Sequence, residues 1–369
     1  MPRVTTLMLI IVLSLVCLGI LTVYSVTAVK TGGLDIVKKH VFYIAVGLMG
    51  LFVMRHLDYH FLSEPRVTRA IVFVSLLLLV LVFIPGIGVE VNGAQRWVSL
   101  AGFRFQPSEF AKLALIVMLA LKLSENQDRI GSFWKGFLPP VIIAGSFTGL
   151  VLLERDLGMP VVMMSTALLM IFVAGARWFY VAGSFLPAGL GVMGLIMISP
   201  YRMGRMMAFL DPWNCRDEEG FHLIQSLAAF ARGSVYGVGA GASQQKLSYL
   251  PAAHTDFIFA VWAEEMGLVG TLTLAGLFVA LLVLGVYAAM HARDLFGALL
   301  AAGITSLIVI QAALNMAVTT GMVPTKGLPL PFISYGGSAL IVFLALVGIL
   351  LNVSLQGRAL EKERMSVAG

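Results

Sequence analysis

The sequence predicts an all-α polytopic membrane protein of about ten transmembrane helices, with one large extracytoplasmic loop between spans seven and eight. Three observations carry that expectation. Of 369 residues, 59% are hydrophobic and only 12% are charged, and the mean hydropathy is +0.94. A soluble domain of this length keeps a large polar exterior and has no place for so much apolar surface. Apolar runs of about 20 residues recur along the whole chain, each long enough to cross a bilayer as a helix.

The spans are expected at 5–29, 40–54, 68–85, 108–123, 136–153, 158–175, 178–199, 257–288, 297–321 and 336–355. The first exceeds the apolar core of a cleaved signal peptide, so it reads as an uncleaved span. Cys17 lies inside it and Cys215 in a polar loop, which makes no disulfide framework. An even number of spans puts both termini on one side. Twelve Lys or Arg then fall on each side, but the long 200–256 segment carries five of the outer ones. Without that segment the count is twelve against seven, which places the termini in the cytoplasm by the positive-inside rule. The outer surplus, with a net charge of +6 and a pI near 9.4, suits an anionic ligand or anionic lipid. No basic–aromatic cluster points to nucleic acid. A single domain, 1–369, is expected, and 200–256 is its one large extramembrane element.

Four polar sets fall on the outer side. The first is "NGAQRWV" with "QPSEFAKLAL". Arg96 and Trp97 read as an interfacial anchor or a phosphate clamp, with even weight on each. Glu109 and Lys112 are three apart on one helix face, and a buried mutual salt bridge is favoured over chemistry. The second, "LERDLG" at 154–158, reads as a solvated tight turn. The third lies in 200–256, where "RGSVYGVGAGASQQ" reads as a compact loop packed on the bundle in preference to a ligand contact. It runs into "LPAAHTDFIFAVWAEEMG". Thr255 or Asp256 suits the N-cap of span eight, while Glu264 and Glu265 line or brace a cavity near membrane depth. The fourth, "PTKGLPLPFISYGGSAL", is broken backbone of the kind tolerated where it lines a cavity. Zinc-ligand spacings, a P-loop and G-x-S-x-G are absent from the sequence.

These same stretches carry a resemblance. "NGAQRWV", "QPSEFAKLAL", "YRMGRMMAFLDPW", "ARGSVYGVGAGASQQKLSYLPAAHTDFIFAVWAEEMG" and "PTKGLPLPFISYGGSAL" together resemble the SEDS family of cell-wall polymerases. Arg232-Gly233, Gln245-Lys246 and Pro324-Thr325-Lys326-Gly327 resemble its FtsW-like division branch more than its RodA-like elongation branch. The chain departs from the family pattern at Ala253, Arg155, Met159 and His222. The resemblance implies ten spans in the bacterial inner membrane, at the division septum, and a peptidoglycan glycosyltransferase acting on lipid II. It implies a class B penicillin-binding protein transpeptidase as partner, together with other divisome membrane proteins. The essential acid of the family's His-Thr-Asp-Phe motif maps to Asp256.

The chemistry so implied needs a base for the acceptor 4-hydroxyl and positive charge for the departing pyrophosphate. Asp256 is the expected base. Arg96, Arg232, Lys246, Lys326 and His254 are the expected substrate contacts. Glu109, Lys112, Asp156 and Glu264 are expected to organise the cavity by ion pairing. A divalent cation, Mg or Mn, could share the work at the pyrophosphate without a dedicated cage. The rival reading is a lipid II transporter or flippase, which would show a similar one-sided polar opening.

Overall fold

A computed structural model of the protein describes residues 2–28, 32–91, 94–100, 103–154, 156–215, 220–245 and 254–368. The chain is mostly helical. In order come α1 Pro2–Thr27, α2 Gly33–His56, α3 Pro65–Leu81, α4 Pro107–Glu125, α5 Leu138–Leu153 and α6 Gly158–Val173. They are followed by α7 Trp178–Ile198, α8 Pro200–Leu210, α9 Gly220–Gly233, α10 Ile258–Met290, α11 Leu295–Thr319 and α12 Gly337–Ala368. Every expected span coincides with a helix, and α8 and α9 are additional elements inside the long loop. Proline opens α3, α4 and α8, where its missing N–H would be unpaired in any case.

Among the described residues seven helices are long and apolar enough to cross a membrane: α1, α2, α5 with its preceding turn, α7, α10, α11 and the first part of α12. α6 is a shorter apolar helix of 16 residues, and α3 has 17. The core sits where α4, α6, α11 and α12 meet. α11 and α12 are the most enclosed of the long apolar helices, whereas α7 buries none of its residues. Leu, Phe, Val and Met side chains cover the outer faces, as helices in hydrocarbon require.

The expectation of an all-α chain is corrected by a small antiparallel sheet between α3 and α4. Its strands are β1 Gly88–Val91, β2 Ala94–Leu100 and β3 Phe103–Phe105, in that spatial order. Strands this short leave no span-sized hydrophobic run. Their sequence signal is instead the Asn92-Gly93 pair, a favoured hairpin dipeptide. Val89 pairs with Trp97 and Glu90 with Gln95, so Arg96 is the extra residue of a bulge. A bulge re-aims the side chain it carries.

α10 is two helices joined at Gly267, which adopts φ 65° and ψ −162°. The backbone groups freed by the break are taken up by the glycine-rich segment after α9. The Leu268 and Val269 amides donate to the Ser234 and Val235 carbonyls at 2.9 and 3.2 Å. The Val238 and Gly239 amides donate to the Glu264 and Glu265 carbonyls at 3.0 and 3.1 Å. A Cβ at Gly237, whose φ is 80°, would lie 2.1 Å from the Glu265 carbonyl oxygen. These glycines are therefore used for backbone packing.

Candidate active site

The site is built on one face of α11. Gln311 and Asn315 are four apart, so both project from the same side of that buried helix. The Asn315 amide donates to the Asp256 carbonyl at 2.9 Å and to the Leu328 carbonyl at 2.6 Å. The Gln311 amide donates to the Pro329 carbonyl at 2.9 Å. Two irregular segments, 254–257 and 324–336, are thereby tied to one rigid helix. They are also tied to each other: the Ser334 hydroxyl donates to the Thr255 carbonyl at 2.6 Å, and the Tyr335 amide to the His254 carbonyl at 2.9 Å. Broken backbone at this depth is stable because polar side chains satisfy it.

Glu109 and Lys112 support this face from α4. They pair at 2.7 Å, and both are almost fully buried. The Lys112 ammonium also donates to the Gln311 side-chain Oε1 at 2.9 Å and lies 4.5 Å from the centre of the Phe343 ring. The pair is thus continuous with the hydrogen bonds that hold the two segments.

Asp256 ends the first segment. The expectation that it or Thr255 caps span eight is corrected, because the N-cap of α10 falls on Phe257. The carboxylate instead lies against the 324–336 segment: a Cβ at Gly327 would stand 2.9 Å from Asp256 Oδ2. Burial pushes the Asp256 carboxyl up to about 6; the charge of Asp156 adds to the rise, and Arg96 and Arg205 oppose it. Arg205 belongs to α8, an amphipathic helix of the long loop. Burial lowers the Lys326 ammonium, which the charge of Asp156 partly offsets.

Asp156 connects these groups. Its Oδ1 accepts from the Gly158 and Met159 amides at 2.8 and 3.3 Å, and its Oδ2 lies 3.4 Å from Arg96 Nη1. The reading of 154–158 as a solvated turn is corrected, since Glu154 is 1% and Asp156 4% exposed. The sheet's arginine and the 324–336 segment cover it. A Cβ at Gly158 would meet Leu328 at 2.9 Å.

A cavity of about 990 Å³ opens beside this constellation, lined by Lys38, Lys39, Trp97, Arg104, His254 and Tyr335 among others. The His254 and Tyr335 rings are 5.9 Å apart at its wall. Three of its lining residues are cations from α2 and the sheet, elements whose charge the sequence did not single out. Arg232 lies elsewhere, 3.8 Å from Glu264 Oε1. Glu264 also accepts from the Ser243 hydroxyl and from the Gln244 and Gln245 amides, the latter two at 3.2 and 3.3 Å. Glu265 accepts from the Ser25 hydroxyl at 2.5 Å. Both glutamates brace the glycine-rich segment and α1. Lys246 lies outside the described residues. No three His, Cys, Asp or Glu among the described residues are arranged to hold a metal ion.

Asn315, Gln311, Glu154 and Arg205 are the members sequence reasoning did not select. For the first two the signal was available, since amide side chains inside an apolar span need partners.

Known proteins share this architecture. The family model for FtsW, RodA and SpoVE, described as cell cycle protein, matches residues 5–359. A probable peptidoglycan glycosyltransferase FtsW of Geobacter sp. (strain M18) is 43% identical over 349 residues, spanning 93% of this chain and 95% of that protein. Stage V sporulation protein E of Bacillus subtilis (strain 168) is 41% identical over 357 residues, spanning 95% of this chain and 97% of that protein. A chain solved in a peptidoglycan synthase complex that coordinates polymerization and crosslinking matches with a TM-score of 0.80 at 30% identity, covering 95% of this chain and 97% of that one. The rod shape determining protein RodA of Thermus thermophilus matches with a TM-score of 0.70 at 28% identity, covering 94% of this chain and 95% of that one. With the model spanning nearly the whole length, the chain belongs to the FtsW/RodA/SpoVE family of cell cycle proteins.

Proposed function

We propose that the protein is a peptidoglycan glycosyltransferase that polymerises lipid II, with Asp256 as its general base. The observation that carries this reading is the position of Asp256. It is a half-buried acid whose backbone carbonyl is held by Asn315, next in sequence to Thr255 in the lining of a cavity with cationic walls. A carboxyl raised to about 6 is mostly ionised at neutral pH yet more basic than an ordinary aspartate, which suits proton abstraction.

In the reaction the acceptor 4-hydroxyl loses its proton to Asp256 as its oxygen attacks the anomeric carbon of the donor. The new glycosidic bond forms, the bond to the pyrophosphate oxygen breaks, and the pyrophosphate leaves with the bonding electrons. Arg96 and Arg205 act on the acid, Lys326 lies on the adjoining 324–336 segment, and all three would stabilise that charge, while Lys38, Lys39 and Arg104 would hold the second anionic headgroup in the adjoining cavity. His254 would contact substrate from the cavity wall. Glu109, Lys112 and Asp156 keep the floor in place, and Arg232 and Glu264 keep the glycine-rich segment in place.

The ten helices would each cross the bacterial inner membrane, with both termini cytoplasmic and the cavity facing outward. A class B penicillin-binding protein would crosslink the product, in keeping with the synthase complex above. Purified lipid II, supplied to the chain together with that partner, should yield glycan strands. Asp256→Asn should yield none while folding and pairing normally. Polymer at the wild-type rate from Asp256→Asn would remove the base assignment. Lipid flip without glycan product, indifferent to Asp256, would replace the whole reading with transport.

A further inference from the structure

Two carboxylates lie two residues apart at the inner edge of the site, and their surroundings are opposite. Asp156 stands at the start of α6, accepts two amide hydrogen bonds there and faces Arg96. The amino end of a helix favours negative charge. Glu154 is the C-cap of α5, where the helix end is negative and a carboxylate is disfavoured. It is 1% exposed, and both of its carboxyl oxygens lack hydrogen-bond partners among the described residues. Such surroundings favour the neutral form of Glu154.

We propose that Glu154 is a positioning residue for the reaction: held as the neutral acid, it leaves Arg96 to Asp156, and its ionisation withdraws that arginine from the reacting end. The proposal rests on the polymerase reading above and concerns a residue with no role in it so far. The groups facing Glu154 are Asp156 on the turn into α6 and Arg96 on β2. Asp156 in turn acts on Asp256, Lys326 and Lys112. A second negative charge beside Asp156 would compete for Arg96 and weaken its hold at the reacting end. Burial, reinforced by the charge of Asp156 and opposed by Arg96, pushes the Glu154 carboxyl up to about 8. The neutral form therefore holds at physiological pH and fails in the mildly alkaline range.

The test uses the chain in complex with its transpeptidase partner, and reads lipid II polymerisation rate between about pH 6 and 9. A group titrating near 8 keeps its proton in about one-tenth of molecules at pH 9. The wild-type rate should fall about ten-fold from pH 7 to 9. Glu154→Gln, neutral at every pH, should fall by less than about two-fold, and Glu154→Asp should keep the alkaline fall. Infrared difference spectra taken without substrate supply the second measurement. A protonated carboxyl band should disappear between pH 7 and 9 in the wild type and be missing from Glu154→Gln. Equal alkaline falls in the wild type and Glu154→Gln overturn the proposal, and so does absence of the band. Failure of the wild type to polymerise at any pH overturns the polymerase reading instead, since the band is read independently.

Discussion

The two ends of the helix bundle both gather carboxylates, and they treat them in opposite ways. At one end stand Glu154, Asp156 and Asp256. At the other, Asp58 and Asp294 flank His60, whose ring nitrogens lie 2.7 Å from each. Tyr59 donates to Asp294 at 2.6 Å, and Gln356 donates to Asp58 at 2.8 Å. Asn352 accepts from the Tyr59 amide at 3.1 Å and donates to the Arg55 carbonyl at 2.7 Å. Asp58 is held down to about 2, chiefly by Gln356 and further by His60, against the effect of burial. Burial raises Asp294, but hydrogen bonds from Tyr59, Gly297 and His60 outweigh it and leave it below the usual range. Glu154 and Asp256 lack such compensation and are raised. The carboxylates that join helices at one end are saturated with donors, and the raised pair at the other is kept short of them, the pattern expected where a carboxylate serves chemistry.

The contrast breaks most easily at Asp256. Replacing it with asparagine should lower polymerisation by about 10³-fold or more, in the range expected for a lost general base. Asp294→Asn at the other end should leave the rate within about three-fold and act on thermal stability instead, through the lost charge-assisted hydrogen bonds. Rates and melting temperatures measured on both variants decide it. A large rate loss at Asp294 would mean the two ends are not functionally distinct.

Placement should matter almost as much as identity. Gly327 leaves room for the Asp256 carboxylate, and a methyl group there would stand 2.9 Å from Oδ2. Gly327→Ala should shift the acid and cost about 10- to 100-fold in turnover with little change in lipid II affinity, because misplacement by about 1 Å is enough. A fall in affinity with unchanged turnover would instead make Gly327 a binding residue.

The acid side of the pH profile gives a smaller effect of the same origin. A carboxylate base acts only when ionised, so with Asp256 in that role activity should rise with pH through about 6 and level off until the alkaline fall assigned to Glu154. An ordinary aspartate would place that limb about two units lower. Rates between about pH 5 and 7 locate it.

Much of this was legible in the sequence, and the failures have a common form. Each expected apolar run coincides with a helix, and seven of the described helices are long and apolar enough to cross a bilayer. The His-Thr-Asp-Phe motif singled out Asp256, and the structure places that acid against the 324–336 segment. The sheet was missed because its strands are three to seven residues long. Glu154 was read as solvated because a charged turn usually is; in the fold it is buried, and the cation acting on it, Arg96, is distant in sequence. Lys38 and Lys39 were only two of the outer cations in the sequence, and the structure places them with Arg104, Tyr335 and His254 in the lining of one cavity. Arg232 pairs with Glu264 in the brace of the broken helix. In each case the partner comes from a part of the chain distant in sequence.

Stability against pH should give the smallest and most direct comparison of the two ends. Glu154 titrates higher in the folded chain, near 8, than its ordinary value of 4.5. Between those values the folded state holds a proton the unfolded state has released, so this group's contribution falls as pH rises through that window. Glu154→Gln should then match the wild type below about pH 4.5 and exceed it increasingly up to about pH 8. Asp58 and Asp294 are depressed, so their stabilisation is present above the ordinary aspartate range and disappears as pH drops through the folded values. Asp294→Asn should therefore melt lower than the wild type at neutral pH and converge with it in acid. Melting curves from about pH 3 to 9 should thus show one variant diverging upward with alkali and the other converging with acid. Parallel curves for the two would mean that both sets of carboxylates are structural.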